Sequence, residues 1–183
     1  ILFFKLDIGL TAFSGAALLL FLGVVDEGKA IAAVPWSTLL LVSGVAILVN
    51  VVSIAGGIDA LSDFLASIMT ERTSSAILAI ISGLMSAVSS ASGVVLPTLI
   101  PTVPKIVEQV GGSVSPYALV SSIVVGAHMV TCSPLSTLGA LALASSTDEE
   151  NKQKLFGQLL VVGFSSVIFG GLIGLLGIYN LFL

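Results

Sequence analysis

The chain has 183 residues, 56% of them apolar and only 9% charged, far from the roughly 25% charge of soluble domains. Its net charge of −4 is spread over short segments without a basic stripe, so no nucleic-acid partner is expected. A single cysteine excludes an intrachain disulfide.

The charged residues are bunched, which leaves long uncharged runs. About 20 apolar residues cross about 30 Å of hydrocarbon, and Ile8 to Val25, Ala30 to Ile58, Gln109 to Thr147 and Leu155 to Leu183 meet or approach that length. The pattern predicts an all-α polytopic membrane protein. The sequence begins at Ile1 without a Met or a basic segment, so the first span is not expected to be a signal peptide, and the chain reads as a piece of something longer.

The first span, about Ile8 to Val25, is plain apart from Ala, Gly and Ser on parts of its surface. Asp26 to Lys29 reads as a solvated turn. Pro35 opens a second span as a first-turn residue, with Trp36 at the depth where aromatic rings anchor. That span runs to about Ala55 and carries Asn50 near its middle, an interhelical hydrogen bond or, less simply, a ligand. Gly56-Gly57 breaks it. Ile58, Leu61, Leu65 and Ile68 then recur at helical spacing, with Asp59 and Asp63 on another face, which predicts an amphipathic interfacial helix closed by Glu71 and Arg72. Residues 1–72 thus form a scaffold-type part and 73–183 a transport-type part.

The run from Thr73 to Pro104 is uncharged yet makes a poor membrane helix. Ser82, Ser86 and Ser89 fall at i, i+4 and i+7, a hydroxyl stripe on one face. Ser89-Ser90-Ala91-Ser92-Gly93 follows, then Pro97, Pro101 and Pro104, each without a backbone N–H. Unpaired backbone at membrane depth is tolerated only inside protein or beside a watery cavity. We therefore expect a re-entrant hairpin over 73–110 with its tip at Ser89 to Gly93; the alternative is one kinked spanning helix. Lys105, Glu108 and Gly111-Gly112 return the chain to water on the same side.

Ser115-Pro116 is a helix start. The following apolar helix meets Thr131-Cys132-Ser133-Pro134-Leu135-Ser136-Thr137 in mid-membrane. Proline disfavours the helical conformation at the residue before it, so Ser133 is an expected point of unwinding in a broken helix over 115–146. Asp148 to Lys154 reads as a solvated loop. A last span over 155–181 has a small-residue packing face built from Gly163, Gly170, Gly174 and Gly177. Charge leaves the orientation open, because Lys29, Lys152 and Lys154 balance Lys5, Arg72 and Lys105.

A polar hairpin tip and a broken helix belong to a transporter core, where half-helix ends offer N–H groups to anions and carbonyls to cations near the bilayer midplane. Neither element contains an ionic residue, so a co-bound cation, Na+ or H+, is the economical way to offset an anionic substrate. No other cofactor is expected. The stretches V-P-W-S-T-L-L-L-V-S-G-V-A-I-L, S-S-A-S-G-V-V-L-P and T-C-S-P-L-S-T-L-G-A resemble, in order, the second half of a divalent anion/sodium symporter of the ion transporter superfamily. Dicarboxylate carriers of the malonate type look nearest.

The resemblance implies one inverted repeat of a secondary active transporter for a small organic anion, a dicarboxylate, in a bacterial inner membrane. It further implies a homodimer and a second, N-terminal repeat carrying the other half-site. It assigns substrate contacts to Ser89, Ser90, Ala91, Ser92 and Gly93 at the tip and to Ser133, Pro134, Ser136 and Thr137 at the break. Cation contacts fall to Ser86, Ser90, Ser92, Thr131, Cys132 (through its carbonyl) and Ser133. Where that family has Asn at the tip and at the break, this chain has none at the tip and Ser136 at the break.

Two other readings follow from the residues. One is a cation/proton antiporter of the same superfamily. The other is an intramembrane serine protease, because Ser90-Ala91-Ser92-Gly93 resembles the rhomboid nucleophile motif and His128 could serve as base. A Pro-rich return and a charged loop separate that pair in the chain, and His128 is expected to be packed or proton-responsive rather than catalytic. His128 and Cys132 at i, i+4 are two ligands, too few for zinc. Transport is the reading the sequence favours, and no enzymatic activity is expected.

Overall fold

Why these residues form helices is clearest at their ends. In the computed structural model, which describes residues 7–111, 114–146 and 149–180 without the side chains of Ile8, Thr38, Thr137, Glu149 and Glu150, every regular element is helical. The residues up to Leu40 and those from Leu41 onward form two units.

In the first unit, α1 (Ile8–Phe21) starts where Asp7 accepts the Leu10 N–H at 2.8 Å and ends before Gly23, whose φ of +69° suits glycine. The helix is therefore shorter than the expected span to Val25. Its 14 residues rise only about 21 Å. The expected turn at Asp26 is instead a helix start: Asp26 caps Lys29 N–H at 2.9 Å and α2 (Glu27–Ala32) follows. Trp36 does more than anchor, since its indole N–H donates to Ile31 O at 3.0 Å.

Helix α3 (Trp36–Ile54) begins one residue after Pro35, so the proline flanks the helix. Asn50 is exposed and makes no hydrogen bond among the described residues, contrary to the interhelical bond expected of it. The chain then turns by 78° at Gly56, φ +78°, into α4 (Gly57–Ser67). Ile58, Ser62 and Leu65 are the buried face of α4; Ile68 is exposed and only ends the helix.

The amphipathic reading of α4 holds, but its polar face is clasped by protein. Lys105 Nζ lies 2.9 Å from Asp63 and 3.3 Å from Asp59, and Gln109 donates to Asp63 at 2.6 Å. The Gln109 hydrogen bond first, and Lys105 second, hold the Asp63 carboxyl below its ordinary range. Asp59, Asp63 and Gln109 are exposed and Lys105 is half-buried.

Helix α5 (Ser74–Ala87) and the returning arm Ala91–Val110 meet at 120° across three residues, as expected for a hairpin. The prolines do not break the returning arm. It winds as a wider π-helical turn over Ala91–Val95, a short α6 (Leu96–Leu99), a tighter 3₁₀ turn over Ile100–Thr102 and then α7 (Val103–Val110). Two threonine hydroxyls take up carbonyls there, Thr98 to Val94 O at 2.8 Å and Thr102 to Leu99 O at 2.7 Å. Leu65, Leu78, Leu99, Ile106, Leu119 and Ile123 join α4, the hairpin and α8 (Pro116–Met129) in one apolar core.

Beyond Met129 the backbone turns until α9 (Thr137–Ser145) begins, the break expected around Ser133. Ser115 occupies the cap position of α8, but its side chain makes no capping bond. Helix α10 (Glu149–Leu175) starts inside the segment expected to be a loop; Asp148 lies outside the described residues, as does Gly112. Acidic Glu149 and Glu150 at a helix start suit the helix dipole. Helix α10 ends at Leu175 because Gly177 adopts φ +71°, so Gly177 terminates the span instead of packing. A 3₁₀ turn at Ile178–Asn180 follows.

Lipid is as apolar as leucine, so the helices are held by close packing. A Cβ on Gly126 would come within 2.4 Å of Ala79 O, on Gly171 within 2.7 Å of Ile80 Cδ1, and on Gly174 within 2.5 Å of Ala76 Cα. Gly163 meets Ser133 and Gly170 meets Ala79 and Gly126. These pairings make α5 and α8 parallel, with α10 antiparallel to both.

Candidate functional site

Two parallel helices of similar length end side by side. Helix α5 stops at Ala87 and α8 at Met129, and Ser133 Oγ reaches across to donate to Ala87 O at 2.9 Å. Their carbonyl ends, the negative poles of the helix dipoles, thus converge on the hairpin tip and the break. The helix alongside measures the depth of this point. Gly163 faces Ser133 and sits about 21 Å from the first residue of α10 and about 18 Å from its last, at 1.5 Å per residue. Asn151–Leu175 is long and apolar enough to cross a membrane by itself. The meeting point is at mid-depth.

Around it the hydroxyls do different work. Ser82, buried, donates to Ala79 O at 3.1 Å, and Ser89 donates to Met85 O at 2.7 Å. Because α5 ends at Ala87, Ser89 lies past the helix and the stripe stops at Ser86. Ser86 is fully buried, and its Oγ has no hydrogen-bond partner. It lies one turn beyond Ser82, which contacts Gly126 of α8, so it belongs to the same α8-facing side.

At the tip, Ser90 Oγ accepts from Gly93 N at 3.1 Å and Ser90 O from Val94 and Val95 N–H, which starts the returning arm. Ala91 and Gly93 are buried and Ser92 is exposed. The Ala91 and Ser92 N–H groups have no partner among the described residues. A Cβ on Gly93 would touch Ser90 Oγ at 3.0 Å, so the cap needs glycine there.

At the break, Thr131 Oγ1 donates to His128 O at 2.8 Å and Cys132 Sγ lies 3.6 Å from Met129 O. Ser133 and Pro134 are buried. Ser136 stands at the cap position of α9, yet its hydroxyl turns back to Thr131 O and, at 2.8 Å, Ser133 O. The first N–H groups of α9, from Thr137 on, are left without a capping side chain. The side chain of Thr137 is outside the described residues. The Cys132 carbonyl accepts no hydrogen bond among the described residues. Gly139 presses on this backbone: a Cβ there would overlap Ser133 O.

Sequence reasoning placed Ser86, Ser90 and Ser133 in the site and missed Ala87, Gly139 and Gly163. Ala87 acts through its carbonyl, and glycines give no side-chain signal; only the helical spacing of Gly163 hinted at packing. His128 is exposed, with Nδ1 2.8 Å from Val124 O. Among the described residues no serine hydroxyl bonds to it. No cluster of metal-ligating side chains is present among the described residues.

Two helix ends and two helix starts meeting at mid-depth are the layout of a membrane transport protein. The chain belongs to the CitMHS citrate transporter family, which it matches over residues 1–183. This agrees with the ion transporter superfamily expected from the sequence, while the malonate-type likeness is a finer statement that the match does not carry. Neither curated proteins nor solved structures gave a match.

Proposed function

We propose that the protein is a secondary active transporter that moves a citrate-like carboxylate anion together with a cation bound at the Ser86–Ser133 junction. Ser86 carries this reading: it is fully buried at mid-depth with no partner for its hydroxyl, in a chain whose other buried hydroxyls mostly bond to a carbonyl one turn back. Leaving such a group unsatisfied costs about 1–3 kcal/mol, and a cation would take its lone pair. Oxygen ligands for Na+ would be Ser86 Oγ, the Cys132 carbonyl and hydroxyls of Thr131 and Ser133. The substrate carboxylates would lie against the unpartnered N–H groups at Ala91–Ser92 and at the start of α9, where positive dipole ends face them. Ser90 and Gly93 shape one end, Ser136 and Pro134 the other. A second repeat would supply the remaining ligands.

The test is citrate affinity of the full-length protein at several Na+ concentrations for wild type and Ser86→Ala. We expect the half-saturating Na+ concentration to rise about fivefold, the loss of roughly one hydrogen-bond equivalent, with affinity restored at high Na+. Unchanged Na+ dependence in Ser86→Ala would remove Ser86 from the cation site.

A further inference from the structure

The other end of α5 holds a second polar site. A cavity of about 370 Å³ is lined there by Glu71, Arg72, Ser75, Gly174, Leu175, Asn180 and their neighbours. It sits where α5 begins and α10 ends, a membrane half-thickness away from the Ser86–Ser133 junction, and so at the lipid headgroup level.

Opposite partial charges share this cavity. The positive pole of α5 and Arg72 line it, and so does Glu71, whose carboxylate lies beside Gly111. The negative pole of α10 reaches the same cavity through Gly174 and Leu175. Neither Glu71 nor Arg72 makes an ion pair among the described residues. Ser75 is only 6% exposed, yet its hydroxyl has no hydrogen bond, while adjacent Ser74 donates to Glu71 O at 3.2 Å. The Ser75 N–H is likewise without a partner. The Ser75 hydroxyl and amide both open onto the cavity without a protein partner among the described residues, so one ligand can bond to both.

We infer that this cavity binds a zwitterion made of a phosphodiester and a primary ammonium. The phosphate oxygens meet Arg72, the Ser75 hydroxyl and the Ser75 N–H; the ammonium meets Glu71 and the terminal carbonyls of α10. A lone anion would face the carboxylate and carbonyls, and a lone cation would face Arg72. Both partial charges are matched only by a ligand carrying both. Leu176 lines the cavity and is 75% exposed, an apolar rim against which acyl chains would lie, so the expected source is an aminophospholipid of the surrounding leaflet.

The test is native mass spectrometry of the detergent-purified full-length protein given equimolar phosphatidylethanolamine, phosphatidylcholine and phosphatidylglycerol of identical chains. Phosphatidylethanolamine should be retained about tenfold over the other two, since one lacks ammonium hydrogens and the other lacks the cation. Arg72→Gln and Glu71→Gln should each abolish that preference, Ser75→Ala should weaken it several-fold, and Lys105→Gln should preserve it. Thermal melting without added lipid identifies any variant that is merely misfolded, and Ser75→Ala, a small change, carries the test if the others are. Free glycerophosphoethanolamine that displaces the lipid and binds with the same Arg72 dependence would support the site and assign it a soluble ligand. Equal retention of the three lipids, or full preference in both Arg72→Gln and Glu71→Gln, would overturn the proposal.

Discussion

Ser133 ties the two broken elements together with one side chain. Its hydroxyl donates to Ala87 O at 2.9 Å, and both residues are buried. Ser133→Ala removes a hydrogen bond of about 1 kcal/mol and frees the end of α5 to shift. In the full-length protein we expect citrate affinity to fall about fivefold at limiting Na+. His128→Ala should leave it within about twofold, since His128 is exposed and its ring bonds only to its own helix. Isothermal binding of both variants decides this; a large loss in His128→Ala with none in Ser133→Ala would reverse the roles. The sequence revealed Ser133 because a residue before proline is pushed out of the helix. It could not reveal that Ser133 bonds to Ala87, 46 positions away, nor that the Ser86 hydroxyl is left buried without a partner. Hydroxyl spacing says nothing of which serine finds a carbonyl.

At the scale of elements, the glycines decide how closely α5, α8 and α10 approach. Gly126→Ala places a methyl group 2.4 Å from Ala79 O and 2.5 Å from Ser82 Oγ, overpacking that costs about 1–3 kcal/mol. Gly44→Ala meets nothing within 4 Å and should be neutral or stabilising by up to about 1 kcal/mol through helix propensity. Thermal melting in one detergent compares the two directly; equal midpoints would contradict the packing scheme.

The clasp between α4 and α7 adds a pH dependence. Asp63 has its carboxyl lowered, chiefly by Gln109 and then by Lys105, so its stabilising effect is present above about pH 4, the unfolded value, and is lost as pH falls through the lower folded value. Asp63→Asn should therefore melt below wild type at pH 6, with the gap closing under acid. A gap that widens below pH 4 would contradict that sign.

The hairpin was legible in the sequence because its charges stand only at its two ends, and the break because Ser-Pro stands in mid-span. The start of α10 was not, because Glu149 to Lys154 reads as solvated by composition, while Glu149 and Glu150 in its first turn favour a helix start. The end of α1 escaped for a different reason. Apolar residues continue through Val25, and the left-handed turn at Gly23 stops the helix whatever its hydropathy.

For the whole molecule, everything proposed about transport rests on the tip and the break forming one site at mid-depth. The membrane class and the helical architecture could be read from uncharged runs alone, whereas the depth of the site required the α10 ruler, and the bunched charges leave the orientation balanced. Ser92 at the tip and Leu135 at the break are both exposed, so each can carry a reporter without disturbing the core. The decisive measurement is thiol labelling of Ser92→Cys and Leu135→Cys, separately, in the full-length protein with Cys132→Ser, reconstituted in vesicles. Val161→Cys, exposed on α10, serves as the control. Citrate with Na+ should slow labelling at both positions by about an order of magnitude, as expected where a bound ligand excludes the reagent, and leave Val161→Cys unchanged. Labelling at Ser92→Cys and Leu135→Cys that ignores citrate would contradict the shared site.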